Sequence, residues 1–507
     1  MTDQLGQRLP AGWAVRTLRE VGTWRGGGTP SKETPEYWTV GTIPWVSPKD
    51  MKTDVLSGAH DHITDEAVAD SATSVVPAGS VLLVVRSGIL KHTLPVAVAQ
   101  RDLAINQDLK AVTPAPWIDS VYLAYALRAF AQDILNTCTK AGTTVQNVNF
   151  TALLDYRVPV APPSEQRRIV EEIEKQLTRL DAGVAALRRV QANLKRYRAA
   201  VLKAACEGRL VPTEAELGRR GGRGWESGHD LITRILVDQE AECHTATAKK
   251  RKPRAHLRPM APPPPARPLP AGWCWTGIEQ LARGTPNAIK TGPFGSALKK
   301  SSYVPAGFKV YGQEQVIRGD AVYGDYFIDH DLYEKLRAYR VAPGDVLLSL
   351  VGTAGRVLVL NDGAKAGIIN PRLIKLSLHP TGVDRDYLKV VLASPATQAF
   401  LKDMAHGQTM DVLNLTVLRA LPIPLPPLAE QQRIVAEVER RLSLADALGC
   451  VVSANLHRAT RLRRAILAWA FRGGLVPTGA ELAREATAQT ASHEGQGVEA
   501  GVGDHEG

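Results

Sequence analysis

Residues 165–174 read Glu-Gln-Arg-Arg-Ile-Val-Glu-Glu-Ile-Glu, and 265 positions later residues 430–439 read Glu-Gln-Gln-Arg-Ile-Val-Ala-Glu-Val-Glu. The string Leu-Pro-Ala-Gly-Trp stands upstream of each copy, at 9–13 and again at 269–273. This period is far longer than the roughly 20–50 residues of solenoid repeats. The sequence therefore predicts two large modules, each made of a globular part followed by a helix.

The two modules agree in their scaffold and differ in their loops. The tail Gly-x-Leu-Val-Pro at 208–212 and 473–477 keeps the spacing of 265, whereas the two Leu-Pro-Ala-Gly-Trp strings stand 260 apart. The difference of five residues falls in the stretch after each tryptophan, where the first copy has Gly27-Gly-Thr-Pro-Ser and the second has Thr291-Gly-Pro-Phe-Gly. A shared scaffold with divergent loops is typical of two modules that bind different targets.

A long helix is predicted after each Pro-Pro pair, at 162–163 and 426–427, because proline is favoured where a helix begins. Apolar residues then follow the alternating four-three spacing of a coiled-coil seam. The seam residues of the second helix have smaller side chains than those of the first, and unequal seams suit packing against each other. We therefore expect the two helices to pair over about 65 Å. The alternative is that each helix packs on its own globular part. The seam residues are Ile173, Leu177, Leu180, Val184, Leu187 and Leu194 in the first helix and Val438, Leu442, Ala445, Gly449, Val452, Leu456 and Ala459 in the second.

The domain boundaries follow from this alignment. Between the modules, a basic run and a Pro-rich run are typical of an extended linker. The end of the chain is rich in Gly, Ala and Glu, which favours disorder. We predict a first strand-rich domain (1–160), a first long helix (161–212), a linker with a short helix at 230–242 (213–268), a second strand-rich domain (269–426), a second long helix (427–480) and a disordered tail (481–507).

Composition favours an anionic partner. The chain of 507 residues carries a net charge of +11, which fits nucleic acid but also an ordinary, slightly basic protein. The five cysteines lie far apart without a Cys-x-x-Cys pair, which argues against a zinc site and a disulfide framework. No apolar run approaches the ~20 residues of a membrane span. We expect a cytoplasmic protein with no membrane partner.

Catalytic motifs are missing from the sequence. Gly26–Gly28 is not followed by the Gly-Lys-Ser/Thr of a phosphate-binding loop. His60-Asp61-His62 has no second cluster of metal-ligating residues nearby in sequence, so we predict no metal site there. There is no Gly-x-Ser-x-Gly, His-Glu-x-x-His or Asn-Pro-Pro-aromatic motif. We therefore predict that this chain is not an enzyme and binds no cofactor itself.

The divergent loops carry side chains suited to nucleic acid. Arginine and lysine pair with guanine edges, glutamine and asparagine with adenine, although the same residue types also occur in ordinary surface loops. The candidate DNA-binding residues are Gly28, Thr29, Ser31, Ser47, Lys49, Arg86 and Gln107 in the first copy and Thr291, Ser296, Lys299, Lys300, Gln313, Arg356 and Arg372 in the second.

Taken in order, these motifs resemble the specificity (S) subunit of type I restriction–modification enzymes. Leu-Pro-x-Gly-Trp opens each module, and Pro-Pro stands shortly before each Glu-Gln-x-x-Ile. Gly-x-Leu-Val-Pro ends each helix. Further matches are Gly27-Gly-Thr-Pro-Ser with Ile43-Pro-Trp-Val-Ser, Ile105-Asn-Gln-Asp-Leu and Gly292-Pro-Phe-Gly-Ser-Ala-Leu. Each piece is weak alone, and the specificity lies in their order.

The resemblance implies a mixed α/β fold with two target-recognition domains, related by an internal pseudo-twofold and joined by an antiparallel coiled coil. Each domain would read one half of a bipartite, asymmetric sequence in double-stranded DNA. The coil would set the spacing and dock two methyltransferase (M) subunits, which bind S-adenosylmethionine. Two restriction (R) subunits, using ATP and Mg²⁺, would complete a restriction enzyme. Half-sites read from one face of a duplex lie about 34 Å apart, which rigid helices can hold.

Two other interpretations remain at this point. The chain could be a nuclease or methyltransferase acting without partners, although the missing motifs speak against this. It could also be a coiled-coil adaptor whose globular domains bind proteins. Methyl transfer by the isolated chain would support the first, and absence of any duplex preference in the assembled complex would support the second.

Overall fold

A computed structural model describes residues 9–140, 146–245, 268–294, 297–350, 356–405, 415–419 and 421–498. The chain divides into two compact units. The first unit comprises Met1–Arg188 and Ser453–Gly507, and the second comprises Arg189–Val452. Each boundary falls inside one of the two long helices, so each unit contains the beginning of one helix and the end of the other.

The first copy contains fourteen described strands and ends in a helix of 44 residues. Its helices are α1 (Asp65–Ala69), α2 (Ser120–Ala129), α3 (Ala131–Cys138), α4 (Phe150–Leu154) and α5 (Pro163–Cys206). Its strands are β1 (Ala14–Thr17), β2 (Gly22–Gly26), β3 (Ile43–Val46), β4 (Val55–Leu56), β5 (Asp61–Ile63), β6 (Ser74–Val76), β7 (Val81–Val84), β8 (Arg86–Ser87), β9 (Val96–Ala99), β10 (Leu103–Ile105), β11 (Leu109–Pro114), β12 (Thr139–Lys140), β13 (Gln146–Val148) and β14 (Arg157–Val160).

The rest of the described chain repeats this order after two connecting helices. The helices are α6 (Glu214–Gly221), α7 (Gly228–Thr245), α8 (Ile278–Leu281), α9 (Gln313–Arg318), α10 (His330–Lys335), α11 (Arg385–Ala393), α12 (Pro395–Ala405), α13 (Leu415–Arg419), α14 (Leu428–Ala470) and α15 (Gly479–Val498). The strands are β15 (Cys274–Gly277), β16 (Ile289–Thr291), β17 (Phe308–Tyr311), β18 (Phe327–Ile328), β19 (Arg340–Val341), β20 (Val346–Ser349), β21 (Val357–Val359), β22 (Gly367–Ile369), β23 (Leu373–Leu376) and β24 (Pro422–Leu425).

Both units contain the same pair of sheets. One sheet has strand order β2-β11-β7-β9-β4 in the first unit and β16-β23-β20-β21 in the second, and its neighbouring strands are antiparallel except that β4 pairs with β9 in parallel. The other contains one parallel pair, β3 with β10 or β17 with β22. Strands β7 and β20 are buried on both faces, as a near-continuous apolar sequence predicts for a central strand. The predicted mixed α/β fold class is confirmed.

The Leu-Pro-Ala-Gly-Trp string is tied to the start of the long helix in its own unit. Trp13 Nε1 donates a hydrogen bond to Glu165 Oε1 at 2.6 Å, and Glu165 Oε2 accepts one from the backbone N of Gly479 at 3.2 Å. The second unit repeats the first contact between Trp273 Nε1 and Glu430 Oε1 at 2.9 Å. The duplicated Trp and Glu residues therefore hydrogen-bond the start of each domain to the start of its long helix.

Each unit pairs the two long helices in antiparallel orientation. In the first unit Asp181 forms an ion pair with Arg463, and in the second Asp446 forms one with Arg198. The residue numbers of both pairs add to 644, as expected for antiparallel helices in constant register. Each aspartate and each arginine also has its counterpart 265 positions away, so the two ion pairs are copies of one another.

The predicted seam lies on the inner face of the helices. In the first helix Ile173 and Leu177 are buried, while Leu180, Val184, Leu187 and Leu194 are partly buried. In the second helix the small residues that mark its seam are buried, namely Ala445, Val452 and Ala459, with Val438. Leu442, Gly449 and Leu456 are partly buried. Ile173 and Leu177 belong to the hydrophobic core of the first unit and Val438 to that of the second, so this part of each seam packs on the globular part of its own unit.

The segments predicted as linker and tail carry more structure than expected. The short helix predicted at 230–242 is part of α7, and Leu231, Ile232 and Ile235 of α7 belong to the core of the second unit. Gln239 Nε2 donates to Gln280 O at 2.9 Å. Disorder was the wrong prediction for the described part of the tail, because residues 479–498 form α15; a Thr478–Glu481 capping interaction starts this helix. The basic run and the prolines at 262–265 lie outside the described residues.

Candidate nucleic-acid interface

The candidate residues of the first unit lie at one edge of its sheets. Strands β3, β7 and β10 all end at this edge, and β11 starts there, because Leu109 pairs with Val84 and Ile105 pairs with Val46. Loops that follow the ends of neighbouring strands meet at one edge, where a scaffold commonly positions binding residues. We call this edge, comprising residues 27–31, 47–49, 86–87 and 106–110, the recognition edge of the first unit.

A cavity of about 370 Å³ opens at this edge. Two of the predicted residues, Arg86 and Gln107, line it together with Lys110, Asn147 and Phe150. The Lys110 ammonium lies 4.9 Å from the centre of the Phe150 ring, which is within cation–π range. The lysine side chain crosses over the backbone of Gly26. A Cβ atom at that position would lie 2.4 Å from Lys110 Nζ. Glycine at that position therefore leaves room for the lysine.

The cavity offers several hydrogen-bond donors to a ligand. Arg86 Nε donates to Asp108 Oδ1 at 2.5 Å, which fixes the plane of a half-exposed guanidinium. Asn147 is exposed and pairs with Arg86 across two short strands. Gln107 accepts a hydrogen bond from Thr29 Oγ1, so its amide group is held in place. An oriented arginine, a lysine and two amides are the groups that bind base edges and phosphates in DNA.

Other predicted residues of the first copy serve the structure. Gly28 is buried and accepts a hydrogen bond from Trp45 Nε1 at 3.1 Å. Ser47 is buried and donates to Asp50 Oδ2 at 2.9 Å. Ser31 accepts a hydrogen bond from a backbone N–H in its own loop at 3.2 Å. Lys49 lies beside Asp61, whose carboxylate raises the pKa of the ammonium. None of these four lines the cavity.

The second unit presents an equivalent edge built from the same strand ends, which we call the recognition edge of the second unit. Gln313 follows β17 and donates from Nε2 to Ser349 Oγ at the end of β20, at 2.8 Å. Arg372 stands just before β23, is exposed, and lies next to this point because its carbonyl accepts a hydrogen bond from Leu350 N. Thr291 ends β16 and pairs with Ile374. The remaining predicted residues are Lys299, Lys300 and Arg356, which are exposed, and Ser296, which lies outside the described residues.

A buried lysine shapes the loop beside this second edge. Lys309 is 1% exposed, and its Nζ donates to the carbonyls of Val322 at 2.5 Å and Gly324 at 3.0 Å. Burial lowers the pKa of this ammonium. The loop it holds presents Tyr323 to solvent, with the Arg318 guanidinium 3.9 Å from the ring centre. Arginine stacked on tyrosine offers both a cation and a flat apolar surface to a nucleic acid.

Lys110, Lys309 and Asn147 were not predicted as site residues, because the sequence does not show which residues surround them in the fold. Lys110 and Lys309 both stand inside strands, where alternation gives only a face and not the neighbours. The hairpin of β12 and β13 brings Asn147 beside Arg86, which is 61 positions away in the chain. The Gly-Thr-Thr and Gly-Gln-Thr stretches at 142–144 and 407–409 lie outside the described residues.

Two searches over the described residues give negative results. No group of three or more His, Cys, Asp and Glu residues with the geometry to hold a metal ion occurs in that part of the chain. Among the described helices, none is both long and apolar enough to cross a membrane.

Comparison with known proteins identifies relatives of both copies. A family model described as the type I restriction modification DNA specificity domain matches residues 10–192 and 295–441. The chain is 42% identical over 160 residues to the EcoR124I/EcoR124II specificity subunit of Escherichia coli, covering 32% of this chain and 40% of that subunit. The matched segment is thus less than half the length of that relative. It is 22% identical over 477 residues to the StySPI specificity subunit of Salmonella potsdam, covering 92% of this chain and 90% of that one.

A solved structure has the same fold. It comes from work on complex assembly and conformational transition of a type I R-M system, and it superposes with a TM-score of 0.61 at 19% sequence identity. The superposition covers 92% of this chain and 99% of the other.

Proposed function

The chain belongs to the type I restriction–modification DNA specificity family, and from that premise we propose that it selects the DNA sequence on which a type I complex acts. Its relatives are the named specificity subunits of such enzymes, which agrees with the prediction of a subunit that is not itself catalytic. The observation that supports the proposal most strongly is the cavity at the recognition edge of the first unit, where Arg86, Gln107, Lys110 and Asn147 converge.

The target is a bipartite, asymmetric sequence in double-stranded DNA. The two units share their sheets but present different groups at equivalent edges. The first offers a polar cavity with Lys110 and Asn147, and the second a lysine-anchored loop with Arg318 and Tyr323. Different donors on one scaffold would select different bases, because each base pair presents its own pattern in the major groove.

The paired helices set the distance between the two halves of the target. A helix of 44 residues is about 66 Å long, which exceeds the ~34 Å of one DNA turn. The duplicated ion pairs support a single register in each unit. Paired helices of fixed register hold two binding domains at a defined spacing better than a flexible linker does.

The same helices dock methyltransferase subunits. In the second unit Leu444, Leu448 and Val451 are 59%, 47% and 57% exposed and follow helical spacing, so they form one apolar stripe. Tyr197 of the paired helix is also 42% exposed. An exposed apolar stripe on a helix suits a partner helix. S-adenosylmethionine belongs to the docked subunits, and ATP and Mg²⁺ belong to two further R subunits in a complete restriction enzyme.

Duplex binding by the assembled complex tests this proposal. The full chain is mixed with its methyltransferase subunits, and binding is measured against the host's methylated target sequence and against the same duplex with scrambled half-sites. We expect a preference of at least 10³ for the target, within the range of specific protein–DNA complexes, and an affinity that falls steeply with salt. Equal affinity for both duplexes would contradict the proposal and favour a protein-binding adaptor.

A further inference from the structure

The second unit has a pocket for which DNA reading gives no role. This pocket has a volume of about 150 Å³, enough for about five water molecules at ~30 Å³ each. Gly344 and Asp345, which line it, stand just before β20, whereas the recognition edge begins where β20 ends at Ser349. Four strand residues span about 13 Å, so the pocket lies at the opposite edge of the sheet from Gln313. We call it the insertion pocket.

Five extra residues of the second copy build one wall of this pocket. Val21 and Leu281 are equivalent, because their carbonyls accept hydrogen bonds from equivalent backbone N–H groups beyond the sheet. Gly26 and Thr291 are equivalent too, since they pair with matching positions of β11 and β23. The chain takes five steps from Val21 to Gly26 and ten from Leu281 to Thr291. The five added residues fall within 283–288, most of which lines the pocket.

Two cations of the pocket replace neutral residues of the first copy. Lys375 pairs with Leu347 in β20, and the matching residue opposite Leu82 in β7 is Ala111. Arg385 is the first residue of α11, directly after the N-cap Asp384, and the matching first residue of α2 is Ser120. The first copy thus has the same strand pairing and the same helix start without either cation. A third cation, Arg283, lies in the inserted stretch.

The position of Arg385 depends on a glycine. A Cβ atom at Gly344 would lie 2.6 Å from Arg385 Nη2 and 2.7 Å from its Cζ. The guanidinium thus lies against the backbone of a turn that has φ of +85°, a conformation that favours glycine. At the equivalent Gly79 the nearest atom is the Ser120 hydroxyl, at 3.5 Å. The second copy therefore uses this space to place a cation beside the pocket.

The charges of the pocket do not balance among the described residues. Its one carboxylate, Asp345, already accepts hydrogen bonds from Ala342 N at 2.8 Å and Ser377 Oγ at 2.6 Å. The Lys375 ammonium donates to Arg340 O at 2.7 Å and is 8% exposed. In the described part of the chain, neither Arg283 nor Arg385 forms an ion pair with a carboxylate. A second carboxylate, Glu242, accepts a hydrogen bond from the backbone N of Gly284 in the inserted stretch at 2.9 Å. Three lining cations against these two carboxylates still leave an excess of positive charge around the cavity.

We propose that the insertion pocket binds a phosphate-class oxyanion. The guanidinium groups of Arg283 and Arg385 supply paired donors that match phosphate oxygens, and the Thr285 hydroxyl and Asn287 amide supply further donors from the inserted stretch. The proposal does not rest on DNA reading, because the pocket lies away from the recognition edge. Its phosphate could be free in solution or part of a DNA backbone, and the experiment below separates the two.

Inorganic phosphate is the probe for this site. The full chain is titrated by calorimetry with sodium phosphate at constant ionic strength maintained with sodium chloride. We expect saturable binding at one site per chain. Arg385→Ser, which installs the residue of the first copy, should weaken that binding at least tenfold, and Arg283→Ala should weaken it as well. Arg220→Ser, on the exposed surface of α6 in the same unit, serves as the matched control and should bind phosphate like the original chain.

The outcomes are distinct from those of the DNA-binding tests. Absence of saturable phosphate binding, or equal affinity in the Arg385→Ser and Arg220→Ser chains, would overturn the proposal. Circular dichroism of each variant shows that a loss does not come from misfolding, and Arg283→Ala gives an independent reading if Arg385→Ser unfolds. Repeating the titration with target duplex bound identifies the source. Unchanged affinity indicates a free phosphate, and lost affinity indicates that a DNA phosphate fills the pocket.

Discussion

At the scale of single residues, the duplicated sequence motifs connect the start of each domain to its long helix through hydrogen bonds. Glu430 illustrates this, because its two carboxylate oxygens accept from the Trp273 indole and from the backbone N of Glu214, each at 2.9 Å. Glu214 starts the helix after the end of α5. One side chain at the start of α14 is therefore hydrogen-bonded both to the beginning of the second domain and to the segment that follows α5. Such a residue tolerates little change, which accounts for the constancy of these strings.

Replacing Lys110 with alanine should weaken recognition of one half-site. The lysine lines the cavity of the first unit and has room for its ammonium only because of the glycine opposite. A lost base or phosphate contact of this type costs about 1–3 kcal/mol, or roughly 5- to 150-fold in affinity. Fluorescence anisotropy of the assembled complex with its target duplex measures the change.

Arg101→Ala is the matched control for Lys110→Ala. Arg101 is exposed and lies before β10, at the end of that strand away from the recognition edge. The control should bind the target with unchanged affinity. An equal loss in both variants would mean that general charge, and not the cavity, binds the DNA.

The buried Glu430 predicts a specific dependence of stability on pH. Burial raises the pKa of this carboxyl above its ordinary value of 4.5, even though its hydrogen bonds to Glu214 and Trp273 oppose the shift. The folded chain therefore holds the proton more tightly than the unfolded chain. The contribution of this group to the free energy of unfolding is fully present below pH 4.5 and declines as pH rises through the folded pKa.

Urea unfolding of the original chain and of Glu430→Gln, measured from pH 4 to pH 7, tests this dependence. The stability of the original chain relative to the variant should fall as pH rises across this range. Glu439→Gln, an exposed residue of the same helix, should follow the original chain at every pH. A constant difference between the original chain and Glu430→Gln would show that the folded chain does not raise this pKa.

How much of the site could be foreseen differs between its parts. The sequence assigned Arg86, Gln107 and Arg372 to divergent loops; in the structure Arg86 lies in the short strand β8, whereas Gln107 and Arg372 lie in loops beside strands. The sequence did not show that Ser47 caps its own loop with Asp50, since a serine that reads DNA and one that stabilises a turn look alike in sequence. The sequence also could not show that Asn147 lies beside Arg86, because the pairing of strands that are far apart in the chain cannot be read from local sequence patterns.

At the scale of elements, the long helices were the part most readily predicted. Seven-residue apolar spacing over six turns leaves little choice of structure, and the burial of Ala445 and Ala459 follows from it. The tail was harder. Its composition suggested disorder, yet Thr478 and Glu481 start a helix there by the same capping interaction that Thr213 and Glu216 form at the start of α6. A local capping signal outweighed composition.

The duplicated ion pairs predict a measurable coupling between the helices. Reversing one charge, as in Asp446→Arg, places two like charges together beside Arg198. Reversing both restores attraction, so the double variant should be more stable than the two single effects predict. Because both side chains are more than a third exposed, we expect a coupling of about 0.5–1 kcal/mol.

A double-mutant cycle at Asp446 and Arg198, read by urea unfolding, measures this coupling. The same cycle at Asp181 and Arg463 provides an internal replicate, because the two pairs are copies of one another. Additive effects at both pairs would show that these contacts do not contribute to the register.

Lengthening both helices should lengthen the spacer between half-sites. Seven residues inserted after Leu187 need a matching insertion before His457, because the numbers of facing residues add to 644 in this part of the first unit. A whole heptad keeps the seam in phase. The spacer recognised by the assembled complex should increase, as read from the methylated sites of a host genome.

An insertion in one helix alone is the control for the paired insertion. It shifts the register, so it should abolish specific methylation and leave no site with the original spacer. An unchanged spacer in the chain with paired insertions would mean that the helices do not set the distance.

At the scale of the whole molecule, the chain uses one scaffold twice and changes only what the scaffold presents. The two sheets, the Trp–Glu joint and the helix ion pairs recur in both units. The loops at the recognition edges differ, and so does the opposite edge, where the inserted stretch of the second unit lines the insertion pocket. We propose that each unit reads its own half of one DNA target.

Selection from a random duplex library tests whether each unit reads its own half-site. The chain, assembled with its methyltransferase subunits, selects duplexes in parallel with its Lys110→Ala variant, and the bound pools are sequenced. We predict a motif of two short halves separated by a spacer of constant length, and a relaxed preference in one half only for the variant. An undivided motif, or a preference lost equally in both halves, would contradict the account.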